Sequence, residues 1–121
     1  YDRSRQCYVV DVEKLNKELK RIIDEEMKKG TKILVFDSHL SHYLPKSLVD
    51  LVIVTRCDLK ILKKRLEKRG YSKAKIRENL DCEIFNVCFN EAAEAGHNVI
   101  AVDTSKGIRK EVISRAISRL E

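Results

Sequence analysis

Three short, unbroken apolar runs constrain what this chain can fold into. Residues 33–36 read Ile-Leu-Val-Phe and run directly into Asp37, Ser38 and His39. LVIVT over 51–55 and NVIAV over 98–102 have the same character. A continuous apolar run of this length suits a strand buried on both faces of a parallel sheet. An acid and an imidazole after such a strand stand where open α/β sheets bind their ligands. The same residues equally suit a buried strand whose Asp caps the next turn.

Amphipathic stretches separate the runs. Asp11 is placed to cap a helix reaching about residue 29, whose apolar face is Leu15, Leu19, Ile22, Ile23 and Met27 at spacings of three and four. Gly30 stops it, with Lys28 and Lys29 favourable at its negative end. The strand over 32–37 follows, then a polar connection over 38–47 with the only proline, Pro45. Asp58 caps a helix over 59–69 with Leu59, Leu62 and Leu66 inward, and Gly70 ends it. A loop over 70–74 leads to one long helix over about 74–95, with Ile76, Leu80, Ile84 and Val87 as its stripe. Gly96 ends that helix, and the last, over about 107–120, buries Ile108, Val112, Ile113, Ala116, Ile117 and Leu120. Residues 1–8 read as an extended lead-in. The order α-β-α-α-β-α implies an α/β fold with a parallel sheet and right-handed crossovers.

Composition narrows the class. The 121 residues suffice for one modest domain, and 36% are charged, which fits a surface rich in ion pairs. No apolar stretch approaches the roughly 20 residues of a membrane span, so no membrane partner is expected. Residues 1–10 lack the apolar core of a signal peptide. The net charge of +6 suits phosphate-bearing partners, nucleotide or RNA, and equally a solvated surface of Lys-rich helices. Cys7, Cys57, Cys82 and Cys88 form no CxxC pair. Cys82 and Cys88, six apart in a helical pattern, are expected on different faces. All four are expected to be reduced thiols in a cytosolic setting, without a zinc site.

Several groups are candidates for chemistry. Asp37 is placed to hold magnesium through water, and His39 to orient a water or relay a proton. Arg65 and Arg69, four apart, share a helix face and suit phosphate oxygens or a base, or a solvated face with Glu67 and the lysines. Arg56 stands directly after a strand, a position favourable for function. Lys106, in the loop after the third strand, suits a base or a phosphate.

These residues also carry a resemblance. FDSHLSHYLP, LVIVTRCDLKILKKRLEKRGYSKAKIRENLDCEIF and NVIAVDTS together resemble the adenylate kinase isoenzyme six family over roughly residues 1–107. The Arg-Leu-x-x-Arg-Gly-Tyr block and the downstream Glu-Asn-Leu-x-x-Glu-Ile-Phe carry it. The resemblance implies a P-loop NTPase with an adenylate-kinase-like three-layer α/β/α parallel sheet, of which residues 1–121 would be the C-terminal portion. Asp37-Ser38-His39 matches the family's Walker B Asp-x-His, so Asp37 would support Mg2+ and His39 would serve ATP hydrolysis. Arg65 and Arg69 match the arginine pair at the start of the lid, which contacts ATP. The lid would be about residues 68–78, with Arg77 reaching phosphate when it closes. Asp103 to Gly107 matches the loop near adenine, making Lys106 an ATP-binding candidate. The implied activity is phosphoryl transfer between ATP and AMP, with ATP hydrolysis, in small ribosomal subunit maturation. The implied partners are a small-subunit ribosomal protein and rRNA, and the implied location is cytoplasmic, or nuclear in a eukaryote.

One departure matters. The family's Gly-rich P-loop, G-x-x-x-x-G-K-[ST], cradles phosphates with backbone N–H groups and a Lys. This sequence has four glycines, at 30, 70, 96 and 107, and none in that spacing. In the family the P-loop strand lies between the strands matching 32–37 and 51–55. The sequence is therefore expected to be a fragment of a longer chain, with complementation by a second chain as the alternative. Alone, it is expected neither to bind ATP tightly nor to transfer phosphate. A binding module that docks a ribosomal protein or rRNA, with little catalysis, is the other function class.

Overall fold

Two adjacent parallel strands form the centre of the molecule, a computed structural model that describes residues 9–120. The lead-in at 1–8, with Cys7, lies outside the described residues. Strand β1 (Val52–Arg56) pairs in parallel with β2 (Val99–Asp103), in the register Val52 to Val99 through Arg56 to Asp103. Between them the chain forms α2 (Leu59–Lys68), α3 (Lys73–Ile84) and α4 (Val87–Glu94). Helix α1 (Val12–Lys28) precedes the sheet and α5 (Lys110–Leu120) follows it.

The helix starts follow side-chain capping. Asp11 accepts from Lys14 N at 3.2 Å, Asp58 from Lys60 N at 3.0 Å, and Ser72 from Lys75 N at 3.2 Å. Each satisfies a backbone N–H that has no partner within its helix. Gly70, at φ 76°, provides the left-handed turn that ends α2.

Alternation along the strands divides the sheet into two faces. Val54 of β1, Ile100 and Val102 of β2, Leu66 of α2, Ile76 of α3 and Ala92 of α4 are buried. The register sets Val54 beside Ala101 on one face and Ile53 beside Ile100 on the other, and each face has an open position, at Ala101 and at Ile53, which is 49% exposed. Helix α5 contributes little to the core: Ile108, Ile113, Ile117 and Leu120, expected inside, are exposed, while Val112 and Ala116 are half-buried. Leu59 is likewise exposed, whereas Leu66 is buried.

Two expected elements are corrected. Residues 32–37 form no strand, and Ile33, Leu34 and Val35 are 66%, 42% and 79% exposed. A strand persists through ladder hydrogen bonds to a neighbour, and among the described residues none pairs with this segment. The helix expected over 74–95 is two helices. Asn86 adopts φ 53°, the left-handed region, and breaks the ladder between α3 and α4.

The break also overturns the expected separation of Cys82 and Cys88. Both line one cavity of about 190 Å³, with Val54, Leu62 and Phe89 among its walls. A straight helix would have pointed residues six apart in different directions. The turn at Asn86 re-aims the second. Burial pushes both thiols above the ordinary cysteine range.

Candidate functional site

The carboxyl ends of β1 and β2 are laced together by side chains from the loops that leave them. Thr104 donates from its backbone N and its Oγ1 to the Arg56 carbonyl, at 2.7 and 2.9 Å. Ser105 Oγ accepts from Asp58 N at 2.8 Å, and Asp103 Oδ1 accepts from Ser105 N at 2.8 Å. The Ser105 hydrogen bonds hold the Asp103 carboxyl below its usual range, aided by the charges of Lys106 and Arg109. Gly107, at φ 83°, closes the loop with its N–H on the Thr104 carbonyl.

Arg65 joins this loop from α2. Its Nη2 donates to the Thr104 carbonyl at 2.9 Å and to the Ser105 carbonyl at 3.5 Å. Its Nη1 lies 3.4 Å from Thr104 Oγ1 and 3.4 Å from Cys57 Sγ. The planar guanidinium thus spans both strand exits while remaining exposed. Arg69 follows one turn on, at the end of α2, exposed and with no side-chain partner among the described residues.

Lys106 stands at a cleft of about 470 Å³ between the loop and α5, shared with Asp103, Arg109 and Arg115 over Ala101 and Val112. One carboxylate against three cations makes the cleft electropositive. Arg109 and Arg115 were not among the sequence candidates. Only the basic balance of the last helix pointed to them.

The other candidates lie apart. Arg77 pairs with Asp81 at 3.1 Å on α3 and is 73% exposed. Asp37 and His39 are exposed on the irregular segment after α1. Among the described residues neither makes a hydrogen bond or ion pair with Arg65, Arg69, Arg77 or Lys106. The Asp37 carboxylate has no partner at all there.

Arg56, favoured by its position, is committed elsewhere. Its Nε meets Glu83 Oε1 at 2.6 Å, one Nη donates to the Glu83 carbonyl at 3.1 Å, and the other donates to Asn86 Oδ1. Glu83 Oε1 also accepts from Cys57 N at 3.2 Å. Arg56 therefore fastens the α3–α4 turn to the end of β1, with each of its three nitrogens donating within the protein. Thr104 was missed, because a threonine in a loop carries no signal until the two strands are known to be neighbours.

Comparison with known proteins identifies the class. Residues 1–86 match a family model described as an AAA domain, and the chain belongs to that family. It is 41% identical over 103 residues to an adenylate kinase isoenzyme 6 homolog of Dictyostelium discoideum, covering 85% of this chain and 55% of that protein. It is 35% identical over 120 residues to a putative adenylate kinase of Methanocaldococcus jannaschii, covering 99% and 62%. It is 36% identical over 120 residues to the adenylate kinase isoenzyme 6 homolog FAP7 of Saccharomyces cerevisiae, covering 99% and 57%. Within the wider class, the chain belongs to the adenylate kinase isoenzyme 6 family. It spans 55–62% of the length of these relatives.

Proposed function

We propose that this chain supplies the nucleotide-side half of an ATP-dependent adenylate kinase and ATPase. The observation that carries the proposal is the Arg65–Thr104 contact, which fixes a guanidinium at the adjoining carboxyl ends of two parallel strands. Such strand ends are where open α/β sheets receive nucleotides. On this reading the whole fold is a three-layer α/β/α adenylate-kinase-like domain, with residues 1–121 its C-terminal portion and 68–78 its lid. Arg65 and Arg69 bind ATP at the root of the lid, Arg77 reaches phosphate as the lid closes, and Lys106 contacts the base or a phosphate.

Magnesium fits this set in a limited way. Asp37 is a free, exposed carboxylate, and no group of three or more acidic, His or Cys side chains gathers among the described residues. A single carboxylate suits a cation that keeps most of its water shell, as Mg2+ does beside phosphates. Asp37 would hold the ion through water, and the ion would neutralise charge on the transferring phosphoryl group. His39, two residues on, would orient water for hydrolysis on this reading. The phosphate cradle is a G-x-x-x-x-G-K-[ST] loop that the 121 residues do not contain, so on this reading other residues of the natural molecule, or a second chain, provide it.

The test joins mass to activity. The protein purified from its natural source is expected to exceed 14.0 kDa and to form ADP from ATP and AMP with Mg2+. The 121 residues alone are expected to show no turnover. His39-dependent ATP hydrolysis by a 14.0 kDa protein would overturn this division of labour.

The electropositive cleft and the exposed Ile53 side chain favour a second reading, a module that docks a small-subunit ribosomal protein or rRNA during subunit maturation. Capture of the ribosomal protein with or without ATP supports it. No capture in either condition counts against it.

A further inference from the structure

Among the described residues, the segment carrying Asp37 and His39 is hydrogen-bonded to α4 and the loop after it at one polar junction. Among the described residues, three hydrogen bonds join residues 9–50 to residues 51–120, and all three pass through His42 and Tyr43. His42 Nε2 lies 2.7 Å from Glu91 Oε2, and the Tyr43 hydroxyl donates to the same oxygen at 3.0 Å. His97 Nε2 donates to the His42 carbonyl at 2.8 Å. Helix α1 enters the same junction through Asn16, whose Nδ2 donates to the Tyr43 carbonyl at 3.0 Å. His42 and His97 are 6% and 8% exposed.

Between α1 and this junction, no hydrogen bond among the described residues reaches residues 51–120. Among the described residues, 31–40 hydrogen-bond only to Glu26, to one another through Ser38, and to the following turn through the Ser38 and Leu40 carbonyls, which accept from Ser41 and Tyr43. Among the described residues, the short turn at Ser41–Tyr43 is thus the first point after α1 where the chain hydrogen-bonds to residues 51–120, and it begins two residues beyond His39.

We propose that Glu91 is a positioning residue for the Asp37–His39 segment, one carboxylate that docks both that segment and α1 onto α4. The inference rests on the reading of Asp37 and His39 as nucleotide-site residues, but the docking itself does not require it. Ionised Glu91 is acceptor-only, so it takes the His42 and Tyr43 donors together. A protonated Glu91 keeps fewer acceptor sites and loses the charge that strengthens both bonds. The titratable groups facing it are His42 and Tyr43 from the turn, Cys88 from α4 and Cys82 from α3. The His42 hydrogen bond, followed by that of Tyr43, holds the Glu91 carboxyl below 4.5, so docking persists above that pH and fails as pH falls through the lowered value.

Hydrogen exchange at the Tyr43 and Leu44 amides of the 121-residue chain tests this without nucleotide. Wild type is expected to lose protection, relative to intrinsic rates, as pH drops below 4.5. Glu91→Gln keeps a carbonyl acceptor and cannot ionise, so its protection at those amides is expected not to vary with pH. Glu91→Ala is expected to exchange about tenfold faster at neutral pH. Wild-type protection in Glu91→Ala, or a wild-type pH profile in Glu91→Gln, would overturn the proposal. Because no ATP is present, a failure here is separable from a failure of His39 to serve hydrolysis.

Discussion

Arg65 donates through Nη2 to the backbone carbonyl of Thr104 at 2.9 Å, across 39 positions of sequence. Thr104 in turn donates twice to the carbonyl of Arg56. The first helix after β1 is thereby tied to the loop after β2, and the strand exits move as one unit. Arg65→Ala is expected to cost about 1 kcal/mol, the usual worth of a partly exposed hydrogen-bond set. Arg65→Lys is expected to recover only part of it, since an ammonium cannot reproduce the planar fork. Urea unfolding of the three proteins checks the order.

Asp103 titration reports on the same loop. Its carboxyl is held low mainly by the Ser105 hydrogen bonds, so the folded value lies below 3.8. The sign follows: the contribution is present above 3.8 and is lost as pH falls through the lowered value. Side-chain carboxyl NMR is expected to place the Asp103 midpoint below 3.8 in wild type and nearer to 3.8 in Ser105→Ala. A wild-type midpoint above 3.8 would contradict the loop geometry.

Asn86 has two roles that substitution separates. Its backbone lies at φ 53° and its Oδ1 accepts from Arg56. Asn86→Ala loses the acceptor and meets the left-handed penalty, together about 2 kcal/mol. Asn86→Gly loses the acceptor alone and is expected to be the milder change. Thermal or urea unfolding distinguishes them.

Leu66 and Leu59 test the helix face that the sequence pattern treated alike. Leu66 is 4% exposed and Leu59 is 41% exposed. Leu66→Ala is expected to cost about 3 kcal/mol, the range for a buried leucine. Leu59→Ala is expected to cost less than about 1 kcal/mol. Equal costs in urea unfolding would mean that α2 packs differently.

These residues also show what was legible beforehand. The runs at 51–55 and 98–102 were readable as strands of a parallel sheet, and each finds its partner within the chain; that they are neighbours was not readable. The run at 33–36 has the same composition and forms no strand. Apolar character is local, but a ladder needs a second strand that the described residues do not offer. The helix break at Asn86 escaped because the apolar period runs on through Ile84 and Val87, and a single left-handed asparagine leaves little trace in it. Arg56 stood in the right place for a ligand, yet its guanidinium is fastened to Glu83 and Asn86. That fastening depends on the α3–α4 turn, which the pattern did not show. Arg65 and Lys106 were readable as candidates from position alone. That Arg65 reaches the Thr104–Ser105 loop, next in sequence to Lys106, required the strand register.

The central claim is that Arg65 and the strand-exit loop serve a nucleotide whose phosphates are cradled by residues outside these 121. The most direct measurement is ADP formation from ATP and AMP, with Mg2+, by the protein purified from its natural source and by its Arg65→Ala variant. The prediction is turnover in the natural protein and a loss of about tenfold or more in Arg65→Ala, the scale of one charge-assisted contact in the transition state. Unchanged turnover in a folded Arg65→Ala variant would contradict it.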